Sequence, residues 1–436
     1  MRHLPKESKA SRLSAADRVR LRRVLGRPQL QAAVSHASAL GLQVWMVGGA
    51  IRDVLLRRSV GELDLVVSGD PGRLAQALTA AGFGKSVLLS DQVPQVFRVA
   101  GAQNLDIAEV TGRSIERDLA RRDFTVNAIA CRLPHGRIID PFGGVSDLSS
   151  GRLRAVADRN LSEDPLRVLR AARLMATHGL KPVRTLTEAS RRAAKGIAAV
   201  AGERIRTELV KLLGAETAAG PLRWLASVGA LAPALGLDSL FVARATFARN
   251  LARLDHQSIR LASPSSRVRL RLCLIANRGD FEPSQAAEWL RRRRFSGKEA
   301  GDVATLLDLA ARVPQIRSRH DEWGWIRDAG DNRMEAAILV SLLNPHWRSI
   351  ARRLARPLPS RRLRVRGADL LAWLRLPPGP EVGRLLREIE IEILSGQIRS
   401  KREARKWLTS KASSTEARAL ARPALPSARK FRPPRL

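Results

Sequence analysis

The stretch spanning residues 43–67 limits the possible fold of this chain more than any other. Its pattern predicts a strand at Gln43–Val47, a turn at Gly48 and Gly49, a short helix, and a second strand at Leu63–Val67. A double glycine before a helix lets a ligand approach the backbone, and the free N–H groups of a helix N-terminus attract phosphate. Neither a Walker lysine nor a GxGxxG pattern is present, so another kind of nucleotide site is predicted.

Two carboxylates, Glu62 and Asp64, stand two residues apart where the second predicted strand begins. Residues at this spacing project from the same face of a strand, so both side chains can point at one place. Adjacent carboxylates repel each other unless a cation lies between them, and Mg²⁺ prefers oxygen ligands. We therefore predict a metal site at Glu62 and Asp64, with Arg52 of the preceding helix contacting nucleotide phosphates.

Each of these signals also has a plainer interpretation. A double glycine after a strand is often only a turn, and two acidic residues at a strand end often only face solvent. The fixed order of the signals favours a functional site. Asp106, on a later predicted strand, is either a third carboxylate of this site or an ordinary strand-edge residue.

A second candidate region begins at Arg121, Arg122 and Asp123. Guanidinium groups suit phosphate and a carboxylate suits ribose hydroxyls, although an isolated RRD sequence is usually surface ion pairing. The apolar segment Phe124–Ala130 is predicted to be a helix, which would turn Asn127 to the same side as Asp123.

The third candidate region is SEDPLRVLRAAR, in which Asp164 precedes Pro165. One interpretation of Asp164 is structural, because an aspartate before a proline makes a good helix cap. The other is functional: Asp164 and Arg167 are one helical turn apart, and together they match the amino group and ring nitrogen of cytosine or adenine. Uracil and guanine would present mismatched groups, so this pair can select bases without a template. Arg170, a turn further on, is a further candidate for base or phosphate contact.

The charge of the chain points to a polyanionic partner. Lys and Arg number 77 against 41 Asp and Glu, a formal net charge of +36, and nucleic acid is the leading candidate. A general arginine bias is the alternative. Cys131 and Cys273 lack metal-ligand spacing, which argues against a disulfide framework or a zinc site and fits the cytoplasm. No apolar run reaches the roughly 18 residues of a membrane span.

Taken in order, these motifs closely resemble those of the class II tRNA nucleotidyltransferases and bacterial poly(A) polymerases. The resemblance rests on VGGAIRD, ELDLVV, RRDFTVNAIA, IIDPFGGVSDL, EDPLRVLRAAR and ERI…E, within residues 28–225. The later pattern GADLL…PPGPEVGRLL…ILSGQIRSKREA is similar to the tail of CCA-adding enzymes, which favours tRNA as the substrate.

The resemblance implies an α+β fold, a polymerase-β-like nucleotidyltransferase head followed by an all-helical neck, body and tail. It implies that the 3′-OH of tRNA attacks the α-phosphate of CTP or ATP and releases pyrophosphate, with two Mg²⁺ ions on Glu62 and Asp64. The other implied site residues are Gly48, Gly49 and Arg52 for the triphosphate, Arg122 and Asp123 for ribose and phosphate, and Asp164 and Arg167 for the base, with Arg170 nearby. The basic helical region is expected to hold the tRNA acceptor arm by its backbone.

The same resemblance sets the predicted domain boundaries. They are a basic flexible arm or frayed helix over residues 1–27, the catalytic head over 28–152, the base-recognising neck over 153–225, an RNA-binding body over 226–355, a tRNA-binding tail over 356–408, and a basic disordered C-terminus over 409–436.

Two features depart from the family pattern. Glu62 occupies a position where the family more often has aspartate, and the segment from Asp106 to Arg121 is short. In the family a longer flexible loop at this place is linked to the switch from C to A addition, so addition of CC alone is a real alternative to full CCA synthesis. The chain could also be a poly(A) polymerase with a basic C-terminus, or a non-catalytic RNA-binding relative.

Overall fold

A computed structural model of the chain describes residues 13–90, 94–238, 251–277, 282–356 and 363–420. The chain divides into two compact units, Met1–Ala300 and Gly301–Leu436. This division falls inside the predicted body. In the part of the chain that the structure describes, no helix is long and apolar enough to cross a membrane.

A mixed sheet forms the centre of the head. Its strands follow the spatial order β3-β4-β5-β2-β1-β6-β7, and neighbours are antiparallel except for the parallel pair β2 and β5. These strands are β1 (Val44–Val47), β2 (Leu63–Val67), β3 (Lys85–Ser90), β4 (Val96–Ala100), β5 (Leu105–Glu109), β6 (Ala130–Arg132) and β7 (Arg137–Ile139). The mixed sheet followed by helices confirms the predicted α+β class.

Helices make up most of the remaining described residues. In the first unit they are α1 (Ala15–Leu25), α2 (Pro28–Ala39), α3 (Gly49–Leu55), α4 (Pro71–Ala80), α5 (Ile115–Ala120), α6 (Gly144–Ser149), α7 (Asp158–Glu163), α8 (Leu166–His178), α9 (Arg184–Ala193), α10 (Gly202–Gly214), α11 (Ala219–Ser227), α12 (Leu231–Leu235), α13 (Gln257–Arg260), α14 (Pro264–Ala276) and α15 (Pro283–Arg292). A short parallel pair, β8 (Arg152–Leu153) and β9 (Lys181–Pro182), interrupts the predicted all-helical neck.

The remaining helices follow from residue 297 onwards. They are α16 (Gly297–Ala311), α17 (Arg319–Ala329), α18 (Arg333–Leu343), α19 (Arg348–Leu354), α20 (Gly367–Leu374), α21 (Pro380–Ser395) and α22 (Lys401–Leu420). An apolar core that includes Leu370, Leu385, Ile389 and Leu408 holds the last helices together.

The alternation of side chains in the sheet decides which residues face the site. Trp45, Val47 and Val66 lie on one face and pack against Ile115 and Leu119 of α5. Asp64 is two residues before Val66, so it projects from this same face. The sheet therefore presents a carboxylate at the edge of an apolar layer that α5 covers.

Two predicted termini are more ordered than expected. Within the predicted arm, Ser14 caps α1, and Leu21 and Val24 of that helix are buried, because apolar residues one turn apart form an inward stripe. At the other end α22 extends to Leu420, so residues 409–420 are helical and not disordered. Residues 1–12 and 421–436 lie outside the described part of the chain.

The predicted helix over Phe124–Ala130 is wrong. Only Thr125–Asn127 form a single 3-10 turn, and Ala130 already belongs to β6. The Asp123 carboxylate accepts from the backbone N–H of Phe124 at 2.7 Å, which replaces a helical hydrogen bond. Asn127 nevertheless reaches Asp123, through a 2.9 Å hydrogen bond from its amide nitrogen.

A buried arginine joins the helices that follow the neck. Arg271 of α14 is fully buried and donates to the carbonyl oxygens of Leu213 at 2.6 Å and Glu216 at 2.8 Å, where α10 ends. It also donates to the carbonyl oxygen of Leu254 and to Asp255. The last carbonyl groups of a helix lack hydrogen-bond donors within that helix, and the Arg271 guanidinium supplies donors at the end of α10. Burial lowers the pKa of Arg271 to about 10, so the side chain stays charged at neutral pH.

Replacing Arg271 with Met should lower the free energy of unfolding by about 3 kcal/mol or more, because buried carbonyl groups and Asp255 lose their donor. Urea unfolding of the two proteins measures the difference. Arg291→Met, at an exposed position of α15, is the matched control and should change the stability by less than about 0.5 kcal/mol. Equal losses for both substitutions would contradict the structural role of Arg271.

Candidate active site

The turn between β1 and α3 brings three parts of the site together. Gly48 has φ +68° and ψ −126°, a conformation that residues other than glycine rarely adopt. A Cβ atom on Gly48 would lie 2.8 Å from Nη1 of Arg122 and 3.6 Å from Oδ2 of Asp64. The absence of a side chain therefore leaves space between the metal-site candidate Asp64 and the phosphate candidate Arg122. Gly49 begins α3 beside the guanidinium of Arg52.

The predicted carboxylates occupy adjacent strands. Asp64 of β2 is paired in register with Asp106 of the parallel strand β5, so both project from the same face. Burial is the main cause that raises the pKa of Asp64; the charge of Arg122 opposes this, and the charges of Asp106 and Glu62 add to it. Glu62 lies just before β2, and its side chain is 62% exposed.

One arginine contacts two of these carboxylates, Asp106 and Glu62, and it was missed in the sequence. Arg98 of β4 donates to Oδ1 of Asp106 at 2.7 Å and to Oδ2 at 2.8 Å, and its Nη2 lies 3.3 Å from Oε1 of Glu62. The described residues contain no cluster of three or more carboxylate, imidazole or thiol side chains placed to hold one metal ion. Of the three carboxylates predicted for the site, Asp64 is thus the one that is not paired with Arg98.

Hydrogen bonds hold each of the two phosphate candidates in place. Nη1 of Arg52 donates to Oδ1 of Asn127 at 2.6 Å, and Asn127 in turn donates to Asp123. Arg122 is held by Asp118, one turn earlier, with Nη2 at 3.0 Å from Oδ2. These contacts fix the directions of Arg52 and Arg122 before any ligand binds.

Asp123 is the most buried carboxylate of the network. Its side chain accepts from Phe124 and Asn127 through Oδ1 and from Arg170 of α8 through Oδ2, at 3.2 Å. Burial would raise the pKa of Asp123, but the charge of Arg170 and these hydrogen bonds hold the pKa below its usual value. Arg170 also donates to Glu208 of α10 at 3.4 Å.

A second arginine of α8 shares the buried partner Glu208. Nε of Arg173 lies 2.8 Å from Oε2 of Glu208, and the Arg173 side chain is largely enclosed. Arg170 and Arg173 are one turn apart on α8, so both reach the carboxylate of Glu208, while Arg170 also pairs with Asp123. Glu208 thereby fixes the face of α8 that points to the head.

Asp164 and Arg167 are neighbours as predicted, and the cap interpretation of Asp164 is wrong. Asp164 makes no side-chain cap on α8; its Oδ2 accepts from Arg204 of α10 at 3.0 Å and lies 3.9 Å from Nε of Arg167. Nε and Nη1 of Arg167 are buried without a hydrogen-bond partner within the described ranges. Burial lowers the pKa of Arg167. A buried donor without an acceptor is costly, so a ligand that accepts from Arg167 would gain binding energy.

Further contacts join the head to the helices that follow it. Oδ1 of Asp53, next to Arg52 on α3, lies 3.3 Å from Nε2 of His178 at the end of α8. Burial is the main cause that lowers the pKa of His178, whereas its hydrogen bond with Asp53 opposes this. Asn160 of α7 donates to the carbonyl oxygens of Ala120 at 2.9 Å and Arg122 at 2.7 Å. The phosphate and base candidates are therefore connected through one set of contacts.

Several of these residues were absent from the sequence prediction. Glu208 entered the sequence analysis only as the last residue of the ERI…E motif, although its place on the apolar stripe of α10 between Ile205 and Leu212 also marks it. Asp118 and Arg122 are at the i, i+4 spacing of a helical ion pair. Arg98 and Asn160 gave no such signal, because their partners are distant in sequence.

A glycine turn, carboxylates on adjacent strands and an arginine-rich helix define the head and neck of a nucleotidyltransferase. Two family models match the chain. The model described as the poly A polymerase head domain matches residues 44–154, and the one described as putative domain 2 of tRNA nucleotidyltransferase matches residues 360–408.

Relatives with similar sequences extend over most of the chain. It is 30% identical to the CC-adding tRNA nucleotidyltransferase of Synechocystis, over 83% of this chain and 92% of the relative. The CC-adding tRNA nucleotidyltransferase of Geobacter sulfurreducens is 29% identical, over 89% and 96%. The Bacillus stearothermophilus CCA-adding enzyme, solved in complex with CTP, has a similar structure with a TM-score of 0.69 and 26% identity, over 90% of this chain and 100% of that one. The chain therefore belongs to the tRNA nucleotidyltransferase and poly(A) polymerase family, and it is a nucleotidyltransferase.

Replacing Gly48 with Ala should lower kcat/KM for CTP on the order of a hundredfold, because the new Cβ displaces Arg122 from the phosphate position. Steady-state incorporation of labelled CTP into tRNA measures this. Gly82→Ala is the matched control, since Gly82 also has a positive φ (+82°) but has open space around it. Wild-type activity of the Gly48 variant would show that the turn does not position Arg122.

Proposed function

We propose that this nucleotidyltransferase adds cytidines to the 3′ end of tRNA without a template, and that it stops after CC. The observation that carries the choice of cytidine over uridine is the pair of Asp164 and Arg167, in which buried nitrogens of Arg167 lack an acceptor within the described residues. The proposed reaction is attack of the tRNA 3′-OH on the α-phosphate of CTP, with release of pyrophosphate.

The chemistry of cytosine fits the pair. Its exocyclic amino group donates to a carboxylate, as Asp164 offers, and its ring nitrogen accepts from a guanidinium, as Arg167 offers. Uracil places an acceptor against Asp164 and a donor against Arg167, so two buried polar groups would be mismatched. Arg204 holds the Asp164 carboxylate and thereby fixes its direction.

The remaining site residues would contact the triphosphate and the sugar of the nucleotide. Arg52 and Arg122 supply charge-assisted hydrogen bonds to the triphosphate beside the turn at Gly48 and Gly49. Asn127, which donates to Asp123, would contact the sugar, and Arg170 balances the buried charge of Asp123. Since these contacts exist without a nucleotide, little reorganisation accompanies binding.

Mg²⁺ fits the donor set at the strand ends. Asp64 is partly buried, and this burial together with two neighbouring carboxylates raises its pKa. A divalent cation beside Asp64 would offset this effect, because it stabilises the charged carboxylate. Asp64 and Glu62 would hold the metal through hard oxygen donors. When bound, Mg²⁺ supplies charge neutralisation at the phosphates and lowers the pKa of the attacking hydroxyl.

The restriction to CC rests on the segment between β5 and Arg122. Residues 110–120 contain a single turn at Thr111–Arg113 and then α5, and Ser114 caps α5, so ordered structure fills this segment. The longer loop that the family links to A addition therefore has no room here. The Synechocystis and Geobacter relatives, both CC-adding by name, support the same conclusion.

Full CCA synthesis is the second candidate, because cytosine and adenine present the same pair of groups to Asp164 and Arg167. Poly(A) synthesis is less favoured, since residues 360–408 match a tRNA nucleotidyltransferase domain. The net charge of +36 suits a tRNA backbone. We place the reaction in the cytoplasm, where the buried thiols Cys131 and Cys273 would stay reduced.

The purified protein should extend tRNA that ends at the discriminator base by two cytidines and leave tRNA ending in CC unextended with ATP. The measurement is gel analysis after incubation with Mg²⁺ and each nucleoside triphosphate separately. Addition of A to the CC substrate would replace the proposal with full CCA synthesis. Long A tails on oligo(A) would indicate a poly(A) polymerase, and tRNA binding without incorporation would indicate a non-catalytic relative.

Asp164→Ala and Arg167→Ala should each reduce the preference for CTP over UTP on the order of a hundredfold, because the polar mismatch of uracil disappears. The ratio of kcat/KM for the two nucleotides measures this preference. Glu163→Ala removes the adjacent carboxylate, which is exposed, and should leave the ratio unchanged. An unchanged ratio in the Asp164 and Arg167 variants would exclude base reading by this pair.

A further inference from the structure

We propose that Arg98 is a positioning residue that keeps Asp106 out of the metal's coordination and competes with the metal for Glu62. The inference rests on the proposed function, in which Glu62 and Asp64 hold Mg²⁺. It begins from an asymmetry in the contacts of Arg98: two close hydrogen bonds go to Asp106, at 2.7 and 2.8 Å, and one longer contact of 3.3 Å goes to Glu62.

The register of the sheet makes the Asp106 contact unavoidable. Arg98 of β4 is the cross-strand partner of Asp106, and Asp106 is the cross-strand partner of Asp64, so the three side chains form a row on one face. Directly opposed side chains in a sheet lie close enough to interact. Asp106 therefore has a cation on one side and a carboxylate on the other.

The geometry at Asp106 is that of a two-point arginine–carboxylate pair. Both oxygens of Asp106 are used by the planar guanidinium, which matches a carboxylate better than a single-point donor does. An Asp106 oxygen that binds Mg²⁺ would have to give up one of these bonds. Asp106 thus stays paired with Arg98, and Glu62 and Asp64 coordinate the metal.

The contact with Glu62 has the opposite character. It is single, longer, and made to a side chain that is 62% exposed, so it is easily exchanged. Glutamate reaches further from the backbone than aspartate, and Glu62 can therefore turn from Arg98 toward a cation beside Asp64. Arg98 keeps Glu62 near the site when no metal is bound and releases it when the metal binds.

Removal of Arg98 should tighten metal binding, because it removes a competing cation and frees both carboxylates. We expect Arg98→Gln to bind Mn²⁺, the spectroscopic probe in place of Mg²⁺, about tenfold more tightly than the wild type. Electron paramagnetic resonance of free Mn²⁺, titrated with the full-length protein without nucleotide, measures the dissociation constant directly.

We call the contacts of Arg98 with Asp106 and Glu62 the clamp. Two further variants distinguish the effect of the clamp from the general effect of positive charge on metal binding. Arg98→Lys keeps the charge but cannot bridge both carboxylates, so it should also tighten Mn²⁺ binding, about threefold. Arg73→Gln removes an exposed charge from α4 and should leave the dissociation constant unchanged.

Unchanged or weaker Mn²⁺ binding in Arg98→Gln, with normal binding by the wild type, would overturn the clamp alone. Tighter binding in Arg98→Gln with wild-type binding in Arg98→Lys would reduce the role of Arg98 to a distant charge and would also overturn the clamp. Absence of Mn²⁺ binding by the wild type would overturn the metal assignment and the clamp together.

Discussion

The buried carboxylate of Asp123 is the interaction on which the rest of the site depends. A charge in the interior is tolerated only when hydrogen bonds and an opposite charge surround it, and Asp123 obtains these from Phe124, Asn127 and Arg170. Each partner serves a different part of the site, because one fixes a turn of the head, one reaches the phosphate candidate Arg52, and one comes from helix α8, which carries the base candidate Arg167. The buried carboxylate of Asp123 thereby holds the candidate phosphate residues of the head next to helix α8, which carries the candidate base residue Arg167.

Patterns that are local in sequence predicted much of this arrangement. The strand at Leu63–Val67 was placed at its observed bounds, because apolar residues between polar neighbours leave few alternatives. Asp164 and Arg167 were expected to meet because one helical turn separates them, and they do. Such predictions succeed where the period of one element alone decides which side chains are neighbours.

Where tertiary contacts outweigh local preference, the sequence was misleading. Phe124–Ala130 has the apolar spacing of a helix, but Asp123 takes the N–H of Phe124, and Thr125 donates to the buried Asp147 at 2.8 Å. Arg98 was overlooked for a related reason. Its partners Asp106 and Glu62 are brought to it only by the order of strands in the sheet, which no spacing in the chain reveals.

The hydrogen bonds of Asn160 have a consequence for how such proteins can be recombined. Its amide nitrogen donates to two carbonyl oxygens of the segment that carries Arg122, so a helix after the sheet supports the backbone of the candidate site. A chimera cut at the last strand of the head would leave those carbonyl groups without the donor that Asn160 supplies. The smallest portable module is therefore the sheet together with α7, and natural exchange of parts between relatives has to respect that join.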